Sequence, residues 1–262
     1  MGRFSHTFAR RAVAFAGHGE SNGRTPVVAF MTAIHDLVLL HGALGASSQL
    51  DALAEALRPR FRVHQLDFEG HGDAPPRGRP FRVRQFAENV VELLDAAGIG
   101  AARLFGYSMG GYVALHLAAQ RPDRVARVAT LGTKFRWDPE TAAREAARLD
   151  PDAIRAKVPL FADTLAARHE RAGGWERVLA HTADFLRDLG DHPLLTDATL
   201  ARIESPVRVI VGDRDNTVGV QESAAVAGAL RAGSLSVLPD TPHPIERVEL
   251  PTLVPVLQGF FG

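Results

Sequence analysis

Cysteine is absent from this chain of 262 residues, so the sequence offers no disulfide, no thiolate nucleophile and no thiolate metal ligand. Net charge is also absent, because 30 lysines and arginines balance 30 aspartates and glutamates. Such a balance provides no overall attraction to nucleic acid or to an anionic membrane. No apolar run approaches the about 20 residues that a membrane-spanning helix needs. We therefore expect a small-molecule partner, without nucleic acid or a membrane span, and the sequence leaves the oligomeric state open.

The N-terminal segment, residues 1–30, carries four arginines and a single acidic residue. Its apolar stretch at 12–16 is shorter than the core of a secretion signal. We interpret residues 1–30 as a leader, either mobile or the product of an upstream start codon, with the working chain beginning at Met31. Export or organelle targeting through this segment is the alternative. Because a chain without cysteine fits a reducing cytosol, we expect a cytoplasmic protein.

Short apolar runs alternate along the chain with segments of helical periodicity, and hydrophobic residues make up 46% of the sequence. The predicted strands are 35–40, 61–68, 102–107, 125–131, 207–211 and 235–238, and the predicted helices are 47–57, 83–97, 109–120, 221–230 and 244–260. Strands separated by helices require right-handed crossovers, which produce a largely parallel sheet. The sequence therefore predicts an α/β fold, with a mostly parallel central sheet and helices on both faces.

The alternation stops between Gly132 and Ser205, where the pattern is helical and polar. Two Asp-Pro pairs in this stretch are typical of helix starts, with aspartate as N-cap and proline at the first helical position. Because the stretch is too long for a simple connection, it is interpreted as an insertion. The predicted organisation is a leader at 1–30, an α/β core at 31–132 and 206–262, and a helical cap insertion at 133–205.

A G-x-S-x-G motif, Gly106–Gly110, lies between a predicted strand and a predicted helix. This is the context of a nucleophile elbow, in which the serine occupies a tight, strained turn. Glycines around the serine let the strand and the helix pass close to each other. The motif predicts Ser108 as the nucleophile. The backbone N–H of Met109 is then one donor to the oxyanion that forms on the attacked carbonyl.

The second oxyanion donor is expected from the loop after the first predicted strand, which reads His41-Gly42-Ala43-Leu44-Gly45. We assign this donor to the N–H of Ala43. His41 is interpreted as an organiser of the loop and not as the general base. A tight turn with a hydrogen-bonded histidine is the alternative explanation for the same residues.

A general base and its acid partner are sought in the loops after the last two predicted strands, because ligands bind beyond the carboxyl ends of parallel strands. His243 lies in a loop of turn residues after the last strand, and it follows the acid candidates in chain order. Asp215 is preferred over Asp213, because a position deeper in the loop can reach His243. Asp213 remains open, and Asp138 is an outside candidate at the start of the insertion.

Five stretches together resemble the α/β-hydrolase superfamily, and the resemblance runs from about Asp36 to the C-terminus: LLHGALG, DFEGHGDA, GYSMGGYVAL, VIVGDRDNTV and PDTPHPIE. In that family the acid is usually the last residue of a G-x-x-D stretch, which is Asp215 here. The family's G-H-G segment, around His71 here, is typically a structural turn, so the resemblance implies no catalytic role for His71. The insertion is similar to the family's cap, which roofs the site and selects substrate.

The residues and the resemblance predict a serine hydrolase that acts on a small carboxylic ester with an activated carbonyl, without metal or organic cofactor. The resemblance leaves open hydrolysis of a C–C bond, a lactone or a thioester, and a triad-dependent synthase or lyase. A ligand-binding receptor with a slow triad is an alternative of another class. The predicted pocket residues are Leu44, Tyr107, Phe135 and Trp137. Among the aromatic residues of the insertion, Phe135, Trp137, Phe161, Trp175, His181 and Phe185 are expected either to select the substrate or simply to pack.

Overall fold

The computed structural model describes residues 34–262, so the predicted leader and the start at Met31 lie outside the described residues. The strands are β1 (His35–Leu40), β2 (Phe61–Gln65), β3 (Ala102–Tyr107), β4 (Val125–Leu131), β5 (Val207–Gly212) and β6 (Gly233–Leu238). They form one sheet in the order β2-β1-β3-β4-β5-β6, and every neighbouring pair is parallel. All six carboxyl ends therefore lie along the same edge.

Helices flank this sheet on both faces. In the described part of the chain the α-helices are α1 (Asp51–Leu57), α2 (Val83–Ala96), α3 (Met109–Gln120), α4 (Pro139–Ala146), α5 (Pro151–Lys157), α6 (Pro159–Arg168), α7 (Trp175–Asp191), α8 (Asp197–Leu200), α9 (Val220–Ala229) and α10 (Leu250–Phe261). Successive side chains of β1 alternate between two cores: Leu37 and Leu39 pack with α1 and α10, and Val38 and Leu40 pack with α2, α3 and α9. The predicted α/β fold with a parallel sheet between helical layers is confirmed.

Most predicted elements agree with the structure within two residues at each end, but two differ by three residues or more at one end. The second strand ends at Gln65 and not at residue 68, because the Asp67 carboxylate accepts hydrogen bonds from loop N–H groups and the Phe68 N–H donates to the His41 ring. The last helix begins at Leu250 and not at residue 244, since Pro251 occupies its first turn. The residues before it include a short 3₁₀ turn, Ile245–Arg247, which begins two residues after His243.

The helical insertion, predicted at residues 133–205, lies between β4 and β5 and contains α4 to α8. Its two Asp-Pro pairs begin helices as predicted: Asp138 accepts from Thr141 N at 2.7 Å, and Asp150 accepts from Ala153 N at 2.8 Å. Buried side chains of the insertion share one hydrophobic cluster with α2 and α3. The insertion therefore packs directly on the sheet domain, and its exact boundaries stay a prediction. Across residues 34–262, none of the helices combines the length and the apolarity that a bilayer crossing requires.

The stability of this fold is expected to fall in mild acid because His116 of α3 is buried without a hydrogen-bond partner for Nδ1 among the described residues. Burial, with a smaller effect from the Arg84 charge, lowers the pKa of His116 from 6.5 to about 4. The unfolded chain therefore takes up this proton first, and stability present above pH 6.5 is lost as the pH falls towards 4. We expect His116→Leu to reduce the loss in unfolding free energy between pH 8 and pH 5 by about 2 kcal/mol.

Urea denaturation of both proteins at the two pH values measures this difference. His41 is buried as well, and burial lowers its pKa to about 4, so the variant is expected to retain part of the acid sensitivity. An identical loss of stability in the wild type and the variant would contradict the assignment of a depressed pKa to His116.

Candidate active site

Ser108 occupies the turn between β3 and α3 with φ 50° and ψ −115°. A non-glycine residue with positive φ is strained, and the surrounding packing must hold it there. The motif glycines make that packing possible: a Cβ at Gly106 would lie 2.3 Å from Gly111 N, and a Cβ at Gly110 would lie 2.4 Å from Leu40 O. The G-x-S-x-G pattern therefore reflects the close approach of β1, β3 and α3, and it presents Ser108 at the carboxyl end of the sheet.

Asp215 and His243 form a hydrogen-bonded pair at the same sheet edge. The Nδ1 atom of His243 lies 2.8 Å from Asp215 Oδ2, and the side chains are 17% and 2% exposed, respectively. The other carboxylate oxygen accepts from Thr217 N at 2.8 Å and from Val218 N at 2.9 Å. Burial opposes ionisation of Asp215, but the hydrogen bond and charge of His243, with these two N–H groups, outweigh it and lower its pKa. Asp215 is thus an anionic acceptor that orients the imidazole.

Gly132, the first residue after β4, leaves space for the side chains of Asp215 and His243. A Cβ at this position would lie 3.1 Å from Asp215 Oδ2 and 3.3 Å from His243 Nδ1, and the residue has φ 58°. Both the close approach and the left-handed backbone favour glycine here. The sequence pattern indicates Gly132 only as the point where the strand–helix alternation stops. A glycine directly after a central strand is the local signal for a close approach of this kind.

The two other acid candidates lie away from His243. Asp213 accepts weakly from Thr241 N at 3.3 Å and lies 3.9 Å from Arg214 Nε, with a side chain that is 41% exposed. Asp138 is exposed and serves as the N-cap of α4. The structure therefore brings Asp215, and neither of the alternatives, to the imidazole.

Ser108 and His243 line the same cavity. Within residues 34–262, the Ser108 hydroxyl makes no hydrogen bond to the His243 ring. Because Nδ1 of His243 is engaged by Asp215, Nε2 is the nitrogen available to the serine. The backbone of His243 is held in place, since its carbonyl oxygen accepts a hydrogen bond from the Tyr107 hydroxyl at 3.1 Å. The Tyr107 side chain, at the end of β3, therefore holds the His243 loop at its backbone.

The peptide between Gly42 and Ala43 is held by its oxygen. Gly42 O accepts from His41 Nδ1 at 2.8 Å and from Gly45 N at 3.1 Å. Since His41 Nε2 accepts from Phe68 N at 3.1 Å, the proton is on Nδ1, as the predicted loop organiser requires. The peptide is planar, so bonds to the Gly42 oxygen orient and polarise the Ala43 N–H on its other side.

The peptide between Ser108 and Met109 is held in the same way. Its oxygen accepts from Thr133 Oγ1 at 2.9 Å and from Gly111 N at 3.0 Å. A Cβ at residue 111 would lie only 2.0 Å from Thr133 Oγ1, which explains the extra glycine of the motif. Thr133 was missed at the sequence level, because no local pattern connects it to residue 108. Within residues 34–262, neither the Ala43 nor the Met109 N–H donates a hydrogen bond to another protein group, so both can bind a ligand oxygen.

The cavity at this site has a volume of about 270 Å³. Beside Ser108, His243, Ala43 and Met109, its wall is mostly apolar and aromatic, with a few polar groups: Leu44, Tyr107, Tyr112, Lys134, Trp137, Glu145, Arg148, Leu149, Thr182, Phe185, Leu186, Leu189 and Thr217. Three of the predicted pocket residues, Leu44, Tyr107 and Trp137, are in this wall. Phe135 is not, and its prediction is corrected: the side chain is 1% exposed within the main core, while its N–H donates to Glu222 at 2.7 Å.

The other aromatic residues of the insertion divide between the cavity and packing. Phe185 lines the cavity. Trp175 is buried in a small cluster within the insertion, and His181 lies 5.0 Å from the Phe81 ring, measured between ring centres. Phe161 is 42% exposed on the outside of the insertion. Of the six aromatic candidates in the insertion, three are therefore packed, two line the cavity and one is exposed.

A parallel sheet with a strained serine turn after one strand, and an Asp–His pair after two later strands, is the architecture of α/β-hydrolases. A family model described as the alpha/beta hydrolase fold matches residues 37–178, just over half of the chain. The chain belongs to the α/β-hydrolase fold family.

Curated relatives are similar to the chain over different lengths. A protein named as the carbamate hydrolase RutD, from Pseudomonas savastanoi pv. phaseolicola, is 32% identical over 221 residues, which cover 77% of this chain and 84% of that protein. The pimeloyl-[acyl-carrier protein] methyl ester esterase of Chromobacterium violaceum is 37% identical over 102 residues, which cover 39% of this chain and 38% of the esterase. The likeness to that esterase therefore spans less than half of either protein.

Solved structures extend the likeness across nearly the whole described chain. The crystal structure of a hydrolase from Pseudomonas aeruginosa PA01 superposes with a TM-score of 0.68 at 26% identity. The superposition covers 87% of this chain and 90% of that one. The similarity therefore includes both the sheet domain and most of the helical insertion.

Proposed function

We propose that this protein is a serine hydrolase that cleaves small carboxylic esters through an acyl-enzyme on Ser108. The observation that carries the proposal is the 2.8 Å hydrogen bond between His243 and the buried Asp215, in a cavity that Ser108 also lines. A buried carboxylate that orients an imidazole near a strained serine is the arrangement that activates a hydroxyl for nucleophilic attack.

The proposed cycle has two acyl transfers. In the first, Ser108 Oγ bonds to the ester carbonyl carbon while its proton passes to His243 Nε2, and the carbonyl oxygen becomes an oxyanion. The oxyanion accepts from the N–H groups of Ala43 and Met109, after which the C–O bond to the alcohol breaks and the alcohol leaves with the proton from His243. Water then attacks the acyl-enzyme in the same manner, and the carboxylic acid and free Ser108 are released.

The negative charge of Asp215 stabilises the proposed cycle at the step in which His243 carries the serine proton. When His243 holds the serine proton, the imidazolium lies against a carboxylate whose pKa is lowered, so Asp215 keeps its negative charge. The hydrogen bond to Nδ1 also selects the tautomer in which Nε2 is free to accept a proton. The pair therefore both orients the base and compensates its charge.

The size and the wall of the cavity support a small acyl group. Its volume of about 270 Å³ lies just below the range of about 300–1,000 Å³ for ligand pockets, and aromatic and leucine side chains dominate the wall. Since Trp137 and Phe185 come from the insertion, we infer that residues 133–205 act as a cap that selects the substrate. We expect short-chain esters to fit and long acyl chains to be excluded.

A carbamate is the second candidate substrate. The chain covers 84% of the relative named as a carbamate hydrolase, a longer match than the one to the methyl ester esterase. A carbamate presents the same carbonyl to Ser108 and needs the same oxyanion donors. A carbamate ester can release the same alcohol as a carboxylic ester but transfers a carbamoyl group to Ser108 in place of an acyl group, so turnover assays with matched alcohols separate the two classes.

Turnover and labelling of the full chain test the proposal together. We expect many turnovers per protein molecule with p-nitrophenyl acetate and butyrate and little activity with the palmitate ester. A fluorophosphonate probe should block this activity and attach to Ser108, as peptide mass spectrometry can determine. Heat-denatured protein is the control for nonspecific labelling. Labelling without turnover would support a receptor with a slow triad, carbamate turnover without ester turnover would favour the second candidate, and absence of both labelling and turnover would overturn the proposal.

A further inference from the structure

Two side chains of the helical insertion hold the loop that contains Ala43. Leu44, the next residue, has φ 58°, a conformation that is strained for a leucine and requires support from its surroundings. Its carbonyl oxygen accepts from Arg168 Nη1 at 3.1 Å and from His169 Nε2 at 3.0 Å. The support for this strained residue therefore comes from the end of α6, which is 124 residues away in the sequence.

His169 is a fully buried bridge between three segments. Its Nδ1 accepts from Gly72 N at 3.1 Å, which places the ring proton on Nε2, where it is donated to Leu44 O. The ring thus connects the insertion to the loops after β1 and β2. Burial lowers the pKa of His169 and keeps the ring neutral, as acceptance from Gly72 requires.

Arg168 connects the same loop to the loop of the proposed base. Its side chain is 14% exposed, and its guanidinium, which also donates to Leu44 O, lies 3.6 Å from Glu246 Oε1. Glu246 follows His243 by three residues on the loop after β6. One side chain of the insertion therefore contacts the loops of both the proposed oxyanion donor and the proposed base.

These contacts complete the support of the Ala43 N–H. The oxygen of the Gly42–Ala43 peptide is held by His41 and Gly45 within the loop itself. The oxygen at Leu44, two peptides further on, is held by the insertion. Peptide planarity fixes the Ala43 N–H relative to the Gly42 oxygen, and the anchored Leu44 carbonyl restricts the backbone rotations that would move this peptide, so the N–H has little freedom to turn away from the cavity. Packing alone would not need a guanidinium and an imidazole on the same carbonyl.

We propose that Arg168 and His169 are positioning residues that aim the Ala43 N–H at the developing oxyanion, so that the seating of the cap on the sheet domain sets the rate of the chemical step. The inference rests on the proposed function. It adds that the cap acts on the reaction through a backbone loop and not only through contact with the substrate.

Steady-state kinetics of Arg168→Met and His169→Ala with p-nitrophenyl butyrate test this inference. A misplaced oxyanion donor weakens transition-state binding more than substrate binding. We therefore expect kcat to fall by about 10- to 100-fold in each variant, with KM changed by no more than about twofold. A trifluoromethyl ketone, which forms a tetrahedral adduct with an activated serine, should lose affinity by the same factor as kcat/KM.

Matched controls come from exposed residues of the insertion. Arg171 is 75% exposed and 3.7 Å from Asp73, and His192 is 74% exposed and 3.5 Å from Asp188. Arg171→Met and His192→Ala should therefore keep the wild-type kcat. In His169→Gln an amide N–H can still donate to Leu44 O, so this variant should recover part of the activity that His169→Ala loses.

The outcomes separate this inference from the proposed function. Wild-type ester turnover with labelling at Ser108 establishes the latter first. Given that result, a wild-type kcat in Arg168→Met and His169→Ala, or an increase in KM alone, would overturn the positioning role. If His169→Ala does not fold, as circular dichroism would reveal, the decision rests on Arg168→Met, in which a wild-type kcat would overturn the positioning role.

Discussion

Replacing Ser108 with alanine is expected to lower kcat for ester hydrolysis by about 10⁴-fold or more. The substitution removes the only oxygen that the proposed cycle acylates, while the Ala43 and Met109 N–H groups remain to polarise a bound carbonyl. Some rate enhancement over water should therefore survive, through direct attack by water at the same site. Single-turnover and steady-state assays with p-nitrophenyl butyrate measure the loss, and the fluorophosphonate probe should no longer attach.

Ser223 provides a matched control for this substitution. It is 1% exposed on α9, its hydroxyl has no hydrogen-bond partner among residues 34–262, and it is not part of the cavity wall. Ser223→Ala should keep kcat within about twofold of the wild type, because it removes neither a hydrogen bond nor a reacting group. Undiminished turnover in Ser108→Ala, with Ser223→Ala as active as expected, would show that another group carries the chemistry.

Much of the fold could be predicted because its signals are local. Strands β3 and β4 and helix α3 begin and end where the apolar runs, glycines and prolines predict. The turn at Ser108 is equally local. Gly106 and Gly110 are glycines because a Cβ at either position would collide with the backbone of α3 or of β1. Such patterns need no knowledge of distant residues, which is why the sequence specifies them.

The supporting residues of the site could not be predicted, because their partners are distant in the sequence. Thr133 is joined to Ser108 across 25 residues and His169 to Gly72 across 97, and neither lies in a motif. Phe135 shows the converse error: an aromatic residue near the predicted pocket belongs to the core, because its backbone is tied to Glu222. Sequence patterns identify which loops meet at the sheet edge, whereas tertiary contacts decide which side chains face the cavity.

Replacing Asp215 with asparagine is expected to lower kcat by about 10³- to 10⁴-fold with little change in KM. The amide is nearly the same size as the carboxylate, so the loop should keep its bonds to the Thr217 and Val218 N–H groups. An amide NH₂ facing His243 would favour the wrong tautomer, and the imidazolium would lose its compensating charge. Steady-state kinetics between pH 6 and 9, with circular dichroism to verify folding, measure the effect.

Asp213→Asn is the control that makes this result specific, because both carboxylates lie in the same loop. Asp213 is 41% exposed and accepts only a 3.3 Å bond from Thr241, whereas the Asp215 side chain is 2% exposed and lies 2.8 Å from the imidazole. We expect Asp213→Asn to keep kcat within about threefold of the wild type, as substitutions at exposed, weakly bonded sites usually do. A larger loss in Asp213→Asn than in Asp215→Asn would transfer the role of the acid to Asp213. Equal and small losses of kcat in both variants would mean that the Asp215 carboxylate contributes little to the chemical step. Gly132 would then serve only the backbone turn after β4.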